Sequence, residues 1–345
     1  MRRAPRFWAT GGPRSWLLAP VAWIWGWQAT RRLRRPPVAR LSVPVICIGN
    51  YVAGGAGKTP TAIAIAAMAR AAGLSPLFLS RGYGGETRGP LLVDPSLHTA
   101  GQVGDEPMLL ARHAPVIVAR DRAAASPFVE VQLRELGADL VILDDGFQNP
   151  SLRKDLNIVV IDAAFGTGNG RVMPAGPLRA PLFEQVRRTD LLVSIGDGAA
   201  AIAAIRMAAR RAVPIARAEL APVGADALAG LPVIAFAGIG RPEKFAATLR
   251  AAGARIDDFL AFPDHHRFTD REALQLLDRA DRLGAALITT EKDAARLAAA
   301  TAGPRAELHR RCRTLAVRLA FLEPSRVDQA LAATFAEARA RRRAG

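Results

Sequence analysis

The stretch Gly54-Gly55-Ala56-Gly57-Lys58-Thr59 decides the fold of this chain. It follows the apolar run at residues 43–48 and precedes an alanine- and isoleucine-rich run at residues 61–72. A strand, a glycine-rich loop and a helix in this order are typical of a phosphate-binding loop, whose free N–H groups and helix dipole face an anion. The pattern predicts that Lys58 reaches the β- and γ-phosphates of a nucleotide and that Thr59 binds Mg²⁺. The predicted nucleotide contacts are Val52, Ala53, Gly54, Gly55, Ala56, Gly57, Lys58 and Thr59.

The loop is a variant, because Val52 stands where the strict consensus has a glycine. A glycine-rich turn that joins a strand to a helix by chance is the alternative. The Lys-Thr pair in its strand–helix setting favours nucleotide binding, and nucleotide binding is therefore the working hypothesis.

Composition allows two domains and excludes several classes of protein. The chain has 345 residues and is 50% hydrophobic, which is enough for a sizeable core and excludes a disordered chain. Its two cysteines, Cys47 and Cys312, fit neither a disulfide framework nor a metal cluster. A reducing environment on the cytosolic side is the natural expectation.

The formal net charge of +16 is carried almost wholly by arginine, and abundant alanine beside it is typical of a genome-wide composition bias. Net charge alone therefore identifies no partner. Its distribution says more, because no acidic residue precedes Glu86. The basic N-terminus predicts a surface for anions. Its arginines are Arg2, Arg3, Arg6, Arg14, Arg31, Arg32, Arg34, Arg35 and Arg40.

Residues 16–27 form an apolar block with four of the five tryptophans of the chain. The block is shorter than the roughly 20 residues that span a bilayer, and no cleavage site of a secretory signal follows it. Tryptophan beside arginine favours the membrane interface, so residues 1–36 are predicted to be a membrane anchor that meets anionic lipid. A helix packed on the protein's own core is the alternative. No nucleic-acid-binding module is recognisable, and no nucleic-acid partner is expected.

Short β-rich runs alternate with helical ones after the loop, which predicts a parallel sheet covered by helices. A boundary is expected near residue 220, where the sequence becomes rich in proline, glycine and alanine. The predicted organisation is a nucleotide-binding domain at 37–220, a smaller α/β domain at 221–335 and a basic tail at 336–345. The predicted strands include residues 76–80, 115–119, 139–145, 156–162, 190–196, 233–240, 285–289 and 314–319.

Asp144 and Asp145 end the hydrophobic run at residues 140–143, where phosphate-binding-loop proteins place the carboxylate for magnesium. A strand-end aspartate in a plain turn is the alternative. Asp105 is a further candidate, with an N-cap as its competing interpretation. His265 and His266 follow Phe-Pro-Asp in a loop before a predicted helix.

Two other strand ends carry polar residues. Arg81 in Arg-Gly-Tyr-Gly-Gly presents either a cation to an anion or a plain turn. Residues 289–293 (TTEKD) partly match the guanine-reading segment of GTPases, but the spacing between lysine and aspartate is wrong. Nucleotide contact and helix capping both stay open for this segment. Candidate contacts to substrate or phosphate are Arg81, Tyr83, Gln148 and Arg171.

Seven motifs in sequence resemble the tetraacyldisaccharide 4'-kinase family of lipid A biosynthesis, from Val45 to about Leu297. They are residues 49–60, 80–84 (SRGYG), 103–107 (VGDEP), 144–148 (DDGFQ), 174–179 (PAGPLR), 262–266 (FPDHH) and 290–294 (TEKDA).

The resemblance implies transfer of the γ-phosphate of ATP to the 4'-hydroxyl of an acylated glucosamine disaccharide 1-phosphate. The implied place is the cytoplasmic face of the bacterial inner membrane. It implies Asp105 as general base and His265 as its partner, with Lys58, Thr59, Asp144 and Asp145 serving phosphates and Mg²⁺. Two α/β units with the site between them are also implied.

One position departs from the family, where a glutamate often follows the arginine at 179 and this chain has Ala180. Two other functions remain as alternatives. One is a membrane-associated ATPase switch without a phosphorylated acceptor, and the other is a soluble small-molecule kinase whose N-terminal helix packs internally.

Overall fold

Thirteen strands and fourteen α-helices form two α/β units in the computed structural model, which describes residues 5–344. The strands are β1 (Val45–Asn50), β2 (Pro76–Ser80), β3 (Leu91–Leu92), β4 (Val116–Val118), β5 (Leu140–Asp144), β6 (Leu156–Asp162), β7 (Leu191–Ile195), β8 (Ile215–Pro222), β9 (Pro232–Ala237), β10 (Arg255–Ala261), β11 (Ala286–Thr290), β12 (Arg313–Leu315) and β13 (Val317–Phe321). The helices are α1 (Phe7–Thr10), α2 (Pro13–Leu17), α3 (Ala19–Leu33), α4 (Lys58–Ala71), α5 (Ala100–Val103), α6 (Asp105–Leu110), α7 (Ser126–Glu135), α8 (Leu182–Val186), α9 (Ile202–Ala209), α10 (Pro242–Ala251), α11 (Asp270–Leu283), α12 (Glu291–Leu297), α13 (Gly303–Arg311) and α14 (Pro324–Ala344).

The larger unit is built on a nine-stranded sheet in the order β13-β8-β7-β6-β1-β5-β2-β4-β3. Its seven inner strands are parallel, and only the edge strands β13 and β3 run antiparallel to their neighbours. The strand before the glycine-rich loop, β1, lies between β5 and β6, and Ile48 is in register with Asp144. The predicted doubly covered parallel sheet is confirmed, and its order brings the end of β5 beside the loop.

Helices cover both faces of this sheet, which explains why its strands are continuously apolar. One apolar core joins β1 and β5 to α4, α6 and α14, through residues such as Ile65 and Leu331. The other core joins the opposite face to α7, α8 and α9, through residues such as Val129 and Ala204. Since two buried faces hold the sheet rigid, the loops at the carboxyl ends of its strands sit on a fixed support.

The smaller unit is a four-stranded, all-parallel sheet in the order β10-β9-β11-β12. Helices α11 and α13 cover one face, where Phe236 and Leu276 are buried, and α10 covers the other, where Phe245 and Leu249 are buried. The chain enters this unit after β8, through a 3₁₀ turn at Ala225–Leu228. The predicted second, smaller α/β unit is thereby confirmed.

The extent predicted for the smaller unit, residues 221–335, is wrong at its C-terminal end. Residues 314–319 are not one strand, because β12 pairs with β11 in the small sheet and β13 pairs with β8 in the large sheet. Helix α14 then packs against the core of the larger unit through Val327 and Phe335. A single residue, Ala316, separates the two strands, and their combined apolar pattern looks continuous in the sequence.

Residues 336–344 are not a separate basic tail, because they form the last turns of α14. Arg341 Nη1 donates to the carbonyl of Ser42 at 2.6 Å, and Arg342 Nη1 donates to the carbonyl of Gly73 at 2.9 Å. These carbonyls lie at the ends of loops on the larger unit. The terminal arginines therefore stabilise the seating of α14.

Helices α1, α2 and α3 lie against residues 165–181 of the larger unit. Trp8 Nε1 donates to the carbonyl of Pro174 at 3.0 Å, and Ser15 Oγ donates to the carbonyl of Ala175 at 2.6 Å. Helix α3 buries Ala22, Gly26 and Leu33 on the protein side. Among residues 5–344, none of the helices has the length and apolarity needed to cross a bilayer. Arg2 and Arg3 of the predicted anchor lie outside the described residues.

Candidate active site

The glycine-rich loop has the backbone of an anion cradle. Gly57, with φ 92°, takes the left-handed conformation just before α4, and a Cβ there would meet Ile195 Cδ1 at 2.5 Å. Gly54 and Gly55 are exposed and have no heavy atom of residues 5–344 near their Cβ positions. Within those residues no acceptor faces the backbone N–H groups of 54–57. Free donors at a helix N-terminus suit a phosphate group.

The two ends of the loop are held by the protein. Val52 is buried in the core and pairs with Leu178, so its side chain faces the interior, away from the loop surface. Ala53 N–H donates to the carbonyl of Pro177 at 2.8 Å, and Asn50 Nδ2 donates to the carbonyl of Gly54 at 3.0 Å. Val52 and Ala53, which were predicted to contact the nucleotide, therefore support the loop from the protein side.

The predicted magnesium pair, Asp144 and Asp145, divides into two different side chains. Asp144 is 1% exposed, and neither of its carboxylate oxygens has a hydrogen-bond partner among the described residues. Burial, together with the nearby charge of Glu106, raises the pKa of Asp144 to about 7. A buried carboxylate without a donor is costly unless a cation joins it. Asp144 therefore fits a metal ion.

Asp145 is already paired. Its Oδ1 lies 2.7 Å from Arg179 Nη1, its Oδ2 lies 3.1 Å from Arg179 Nη2, and Lys58 Nζ lies 3.6 Å from Oδ2. Although burial alone would raise the pKa of Asp145, the charges of Lys58 and Arg179 hold it below the usual range. In this arrangement Asp145 serves two cations and orients Lys58, which is 8% exposed.

Asp105 is the first residue of α6 and is 4% exposed. Gly104 occupies the N-cap position of α6, so the competing interpretation of Asp105 as an N-cap is wrong. The Oδ2 atom pairs with Arg296 Nη2 and lies 3.4 Å from His265 Nδ1. Burial would raise the pKa of Asp105, but the hydrogen bond from His265 and the charges of Arg296 and Lys292 lower it below its usual range.

The two neighbouring histidines have different surroundings. His265, at φ 59°, faces Asp105, and its ring centroid lies 5.3 Å from that of Tyr83. His266 stacks on Phe262 at 4.8 Å and hydrogen-bonds Glu272 at 3.0 Å. The question of which histidine faces Asp105 is therefore answered by the geometry in favour of His265.

Charged pairs join the two units around this site. Lys292 Nζ lies 2.6 Å from Glu106 Oε1, and Arg241 Nη2 lies 2.7 Å from Asp162 Oδ2. Lys244 also pairs with Asp162. In every pair the acid belongs to the larger unit and the base to the smaller one. The Asp105, Asp144 and loop groups thus lie along a charged junction.

Residues 290–293 cap α12 and contribute to that junction. Thr290 Oγ1 accepts from the N–H of Asp293 at 3.2 Å, while Asp293 Oδ2 accepts from the N–H of Gly238 at 3.0 Å. Lys292 leaves the same turn toward Glu106. Of the two alternatives open for this segment, helix capping is confirmed.

The remaining residues that were predicted to contact substrate or phosphate do not lie together in one place. Arg81 and Tyr83 are exposed, and Tyr83 lies beside His265. Arg171 stacks on Trp16 of α2, with its guanidinium carbon 3.9 Å from the ring centroid. Gln148 Nε2 donates to the carbonyl of Asn50 at 2.8 Å, which makes it a support of the loop.

Ala180, where the family often has a glutamate, is fully buried. Its carbonyl accepts a hydrogen bond from Gln185 Nε2 at 2.7 Å. The position therefore contributes backbone only, and no carboxylate is available there.

Sequence reasoning missed Arg296, Glu106 and Asp162 as members of the site. A signal for Arg296 existed, because it follows Lys292 by four residues and such positions share one face of a helix. No bounds were predicted for a helix after residues 289–293, so this spacing could not be used. Nothing in the sequence pairs Asp162 with a base that lies 79 or more residues away.

Comparison with known proteins agrees with this geometry. The family model described as Tetraacyldisaccharide-1-P 4'-kinase matches residues 14–336. A tetraacyldisaccharide 4'-kinase of Methylobacterium radiotolerans is 51% identical over 321 residues, which are 92% of this chain and 94% of that protein. One from Rhodopseudomonas palustris is 46% identical, with 98% of each chain covered.

A solved structure is also similar. It is an LpxK from Aquifex aeolicus in complex with ATP, with a TM-score of 0.70 and 26% identity, covering 93% of this chain and 99% of that one. The match between family, relatives and structure extends over both units. This chain belongs to the tetraacyldisaccharide 4'-kinase family of ATP-dependent kinases.

Proposed function

We propose that this chain transfers the γ-phosphoryl group of ATP to the 4'-hydroxyl of tetraacyldisaccharide 1-phosphate. The observation that carries the proposal is the Asp105 carboxylate, buried beside His265 at the junction that also holds the loop of residues 54–59. A base for a hydroxyl and a cradle for phosphates are the two parts that phosphoryl transfer to an alcohol needs. The names of the family and its relatives support the choice of acceptor.

Lys58 and the free N–H groups of the loop act on the phosphates. The transition state spreads negative charge over the transferred group, so fixed donors that are already oriented lower its free energy. Asp145 holds Lys58 in place at 3.6 Å, and Arg179 in turn holds Asp145. These contacts orient the lysine before nucleotide binds.

Thr59 and Asp144 would hold Mg²⁺, with Asp145 adjacent. The unpartnered carboxylate of Asp144 and the buried Thr59 at the start of α4 fit a small, oxygen-binding cation. No cluster of three or more His, Cys, Asp or Glu side chains occurs among residues 5–344. That suits Mg²⁺, which usually takes one or two carboxylates and completes its shell with phosphates and water. When bound, the ion neutralises charge on the phosphates.

Asp105 accepts the proton of the acceptor hydroxyl, and His265 orients the carboxylate. A sugar hydroxyl is a weak nucleophile near neutral pH, so proton removal must accompany attack. Tyr83, exposed beside His265, is proposed to contact the acceptor, and so is the exposed Arg81, two residues before it in the chain. Because His265 belongs to the smaller unit and Asp105 to the larger, the base is complete only when the units are together.

The N-terminal helices form a surface suited to an amphiphilic acceptor. Trp23 is 75% exposed and Leu17 is 80% exposed. A groove with a volume of about 330 Å³ lies between α3 and the segment with Val172 and Pro181, and Trp23 and Trp27 line it. Exposed tryptophans beside arginines suit the headgroup region of a bilayer. We propose peripheral binding to the cytoplasmic face of the bacterial inner membrane through anionic lipid.

The direct test follows labelled phosphate from γ-labelled ATP into tetraacyldisaccharide 1-phosphate in detergent with Mg²⁺. We expect labelled lipid that depends on Mg²⁺ and on the acceptor. Hydrolysis of ATP without labelled lipid, together with nucleotide-dependent membrane binding, would instead favour the ATPase switch. Labelling of a water-soluble sugar but not of the lipid would favour a soluble kinase.

A second prediction concerns the exposed face of α3. Changing Trp23 and Ile24 to serine should weaken binding to vesicles that contain phosphatidylglycerol by at least roughly tenfold, since about 100 Å² of apolar surface per residue at about 25 cal/mol per Å² leaves the bilayer. Vesicle sedimentation measures the change. The matched control changes Leu274 and Leu283, which are exposed on α11, to serine. Equal losses in both double variants would contradict a role for α3.

A further inference from the structure

Arg296 connects the candidate base to the smaller unit. Its side chain on α12 is 9% exposed. Nη2 pairs with Asp105 Oδ2, while Nη1 donates to the carbonyl of Gly238 at 2.8 Å and lies 2.6 Å from Asp293 Oδ1. We propose that Arg296 is a positioning residue that holds Asp105 as an oriented carboxylate for phosphoryl transfer, an inference that rests on the proposed role of Asp105 as the base.

The two oxygens of Asp105 are in different situations. Arg296 Nη2 and His265 Nδ1 both approach Oδ2, and no described residue makes a hydrogen bond to Oδ1. Arg296 also lies 3.4 Å from His265 Nδ1, so the three groups contact one another. One oxygen is thus anchored and the other is left for the hydroxyl of the acceptor. A single hydrogen bond from His265 at 3.4 Å would be too weak to fix the carboxylate plane.

The charge of Arg296 also affects the protonation state of Asp105. Asp105 is almost fully buried, and burial alone favours the neutral acid, which cannot accept a proton. The charged and titratable groups that face it are Arg296 and Lys292 from α12, His265 from the loop after β10, Tyr83 from the loop after β2, and Glu106 beside it on α6. Asp293 lies behind Arg296. Arg296 is the permanent cation in direct contact, so it keeps the carboxylate ionised.

The side chain of Arg296 is itself held in place by Asp293. Asp293 is fully buried, and its second oxygen accepts from the N–H of Gly238 and from Thr290 Oγ1. Arg296 is thereby tied to Asp293 near the start of α12 and to Gly238, which directly follows β9. Since Asp105 belongs to the larger unit, its orientation depends on how α12 docks. Arg296 can therefore orient Asp105 only when the two units are in contact.

The test is the pH dependence of kcat/KM for Arg296→Gln beside the parent protein. Activity that needs ionised Asp105 is lost as pH falls through the pKa of that group. Loss of a direct cation raises a carboxyl pKa by about 1–3 units. The acid limb, which is the fall of kcat/KM at the acid end of the pH profile, should therefore move up by about 1–3 pH units. At the plateau we expect roughly a 10- to 100-fold lower kcat, as for a misplaced catalytic group. Arg296→Lys should keep the acid limb near the parent position and lose part of kcat.

Two further variants separate this role from a structural one. The single variant Arg296→Gln leaves the buried charge of Asp293 unpaired. If that variant does not fold, the double variant Asp293→Asn/Arg296→Gln, which lacks this charge, is used to measure the fall of kcat/KM at acid pH. Arg267→Gln breaks another pair between the units, with Glu86 at 3.7 Å, and should leave the fall of kcat/KM at acid pH in place. An unmoved limb in a folded Arg296→Gln or double variant would overturn the inference. Full activity of Asp105→Asn would instead overturn the proposed base.

Discussion

Replacing Asp105 with asparagine is expected to lower kcat by about 10²–10⁴-fold, which is the usual contribution of a general base. Asparagine keeps the size of the side chain but cannot take the proton of the acceptor hydroxyl. The fold should survive, because Arg296 retains Asp293 and the carbonyl of Gly238 as partners. Steady-state transfer of labelled phosphate to the lipid measures the change, and ATP binding should be nearly unaltered.

The matched control is Asp270→Asn. Asp270 is also the first residue of a helix, α11, and its partner Arg305 lies 2.8 Å away on the surface of the smaller unit. Both substitutions remove a carboxylate that interacts with a helix N-terminus, and only one of them removes the base. Equal activity in the two variants would contradict the proposed role of Asp105 as the base.

The second large effect is expected for Lys58→Met. Lysine at this place neutralises charge on the transferred phosphoryl group, and loss of one preorganised transition-state donor costs roughly 10²–10³-fold in kcat. Asp145 remains paired with Arg179 through two contacts, at 2.7 and 3.1 Å, so no unpaired buried charge is created. Single-turnover transfer with saturating ATP distinguishes slow chemistry from weak binding.

Arg70→Met supplies the comparison for Lys58. Arg70 is an exposed cation at the far end of the same helix, α4, where it donates to the carbonyl of His113. Net charge changes by the same amount in the two variants. A kcat for Lys58→Met within about threefold of that for Arg70→Met would exclude the proposed role of Lys58 in stabilising the transition state, since that role predicts at least about 10²-fold.

The charged junction explains how the two units form one site. The acids Asp105, Glu106 and Asp162 lie on the larger unit, and their basic partners lie on the smaller one. Such pairs need close, oriented contact to offset the desolvation of both charges. The arrangement therefore favours one docking geometry, in which His265 and Arg296 reach Asp105.

Local patterns predicted the larger unit well for a physical reason. A buried parallel strand needs a continuous apolar run, so residues 76–80 and 156–162 were predicted with the bounds that the structure has. The same reasoning failed at residues 314–319, where two strands enter different sheets across one residue. The choice of sheet is a matter of tertiary packing, and the local pattern does not record it.

The residues of the site likewise divide into those that the sequence predicted and those that only the structure revealed. The sequence by itself determined the phosphate-binding loop, the strand-end pair Asp144 and Asp145, and the family, because each depends on neighbouring residues in the chain. Only the tertiary structure decided that His265 and not His266 faces Asp105, and that Arg296 anchors the same carboxylate. These contacts join residues 160 or more positions apart. Their partners are chosen by how the two units dock, since no local spacing relates them.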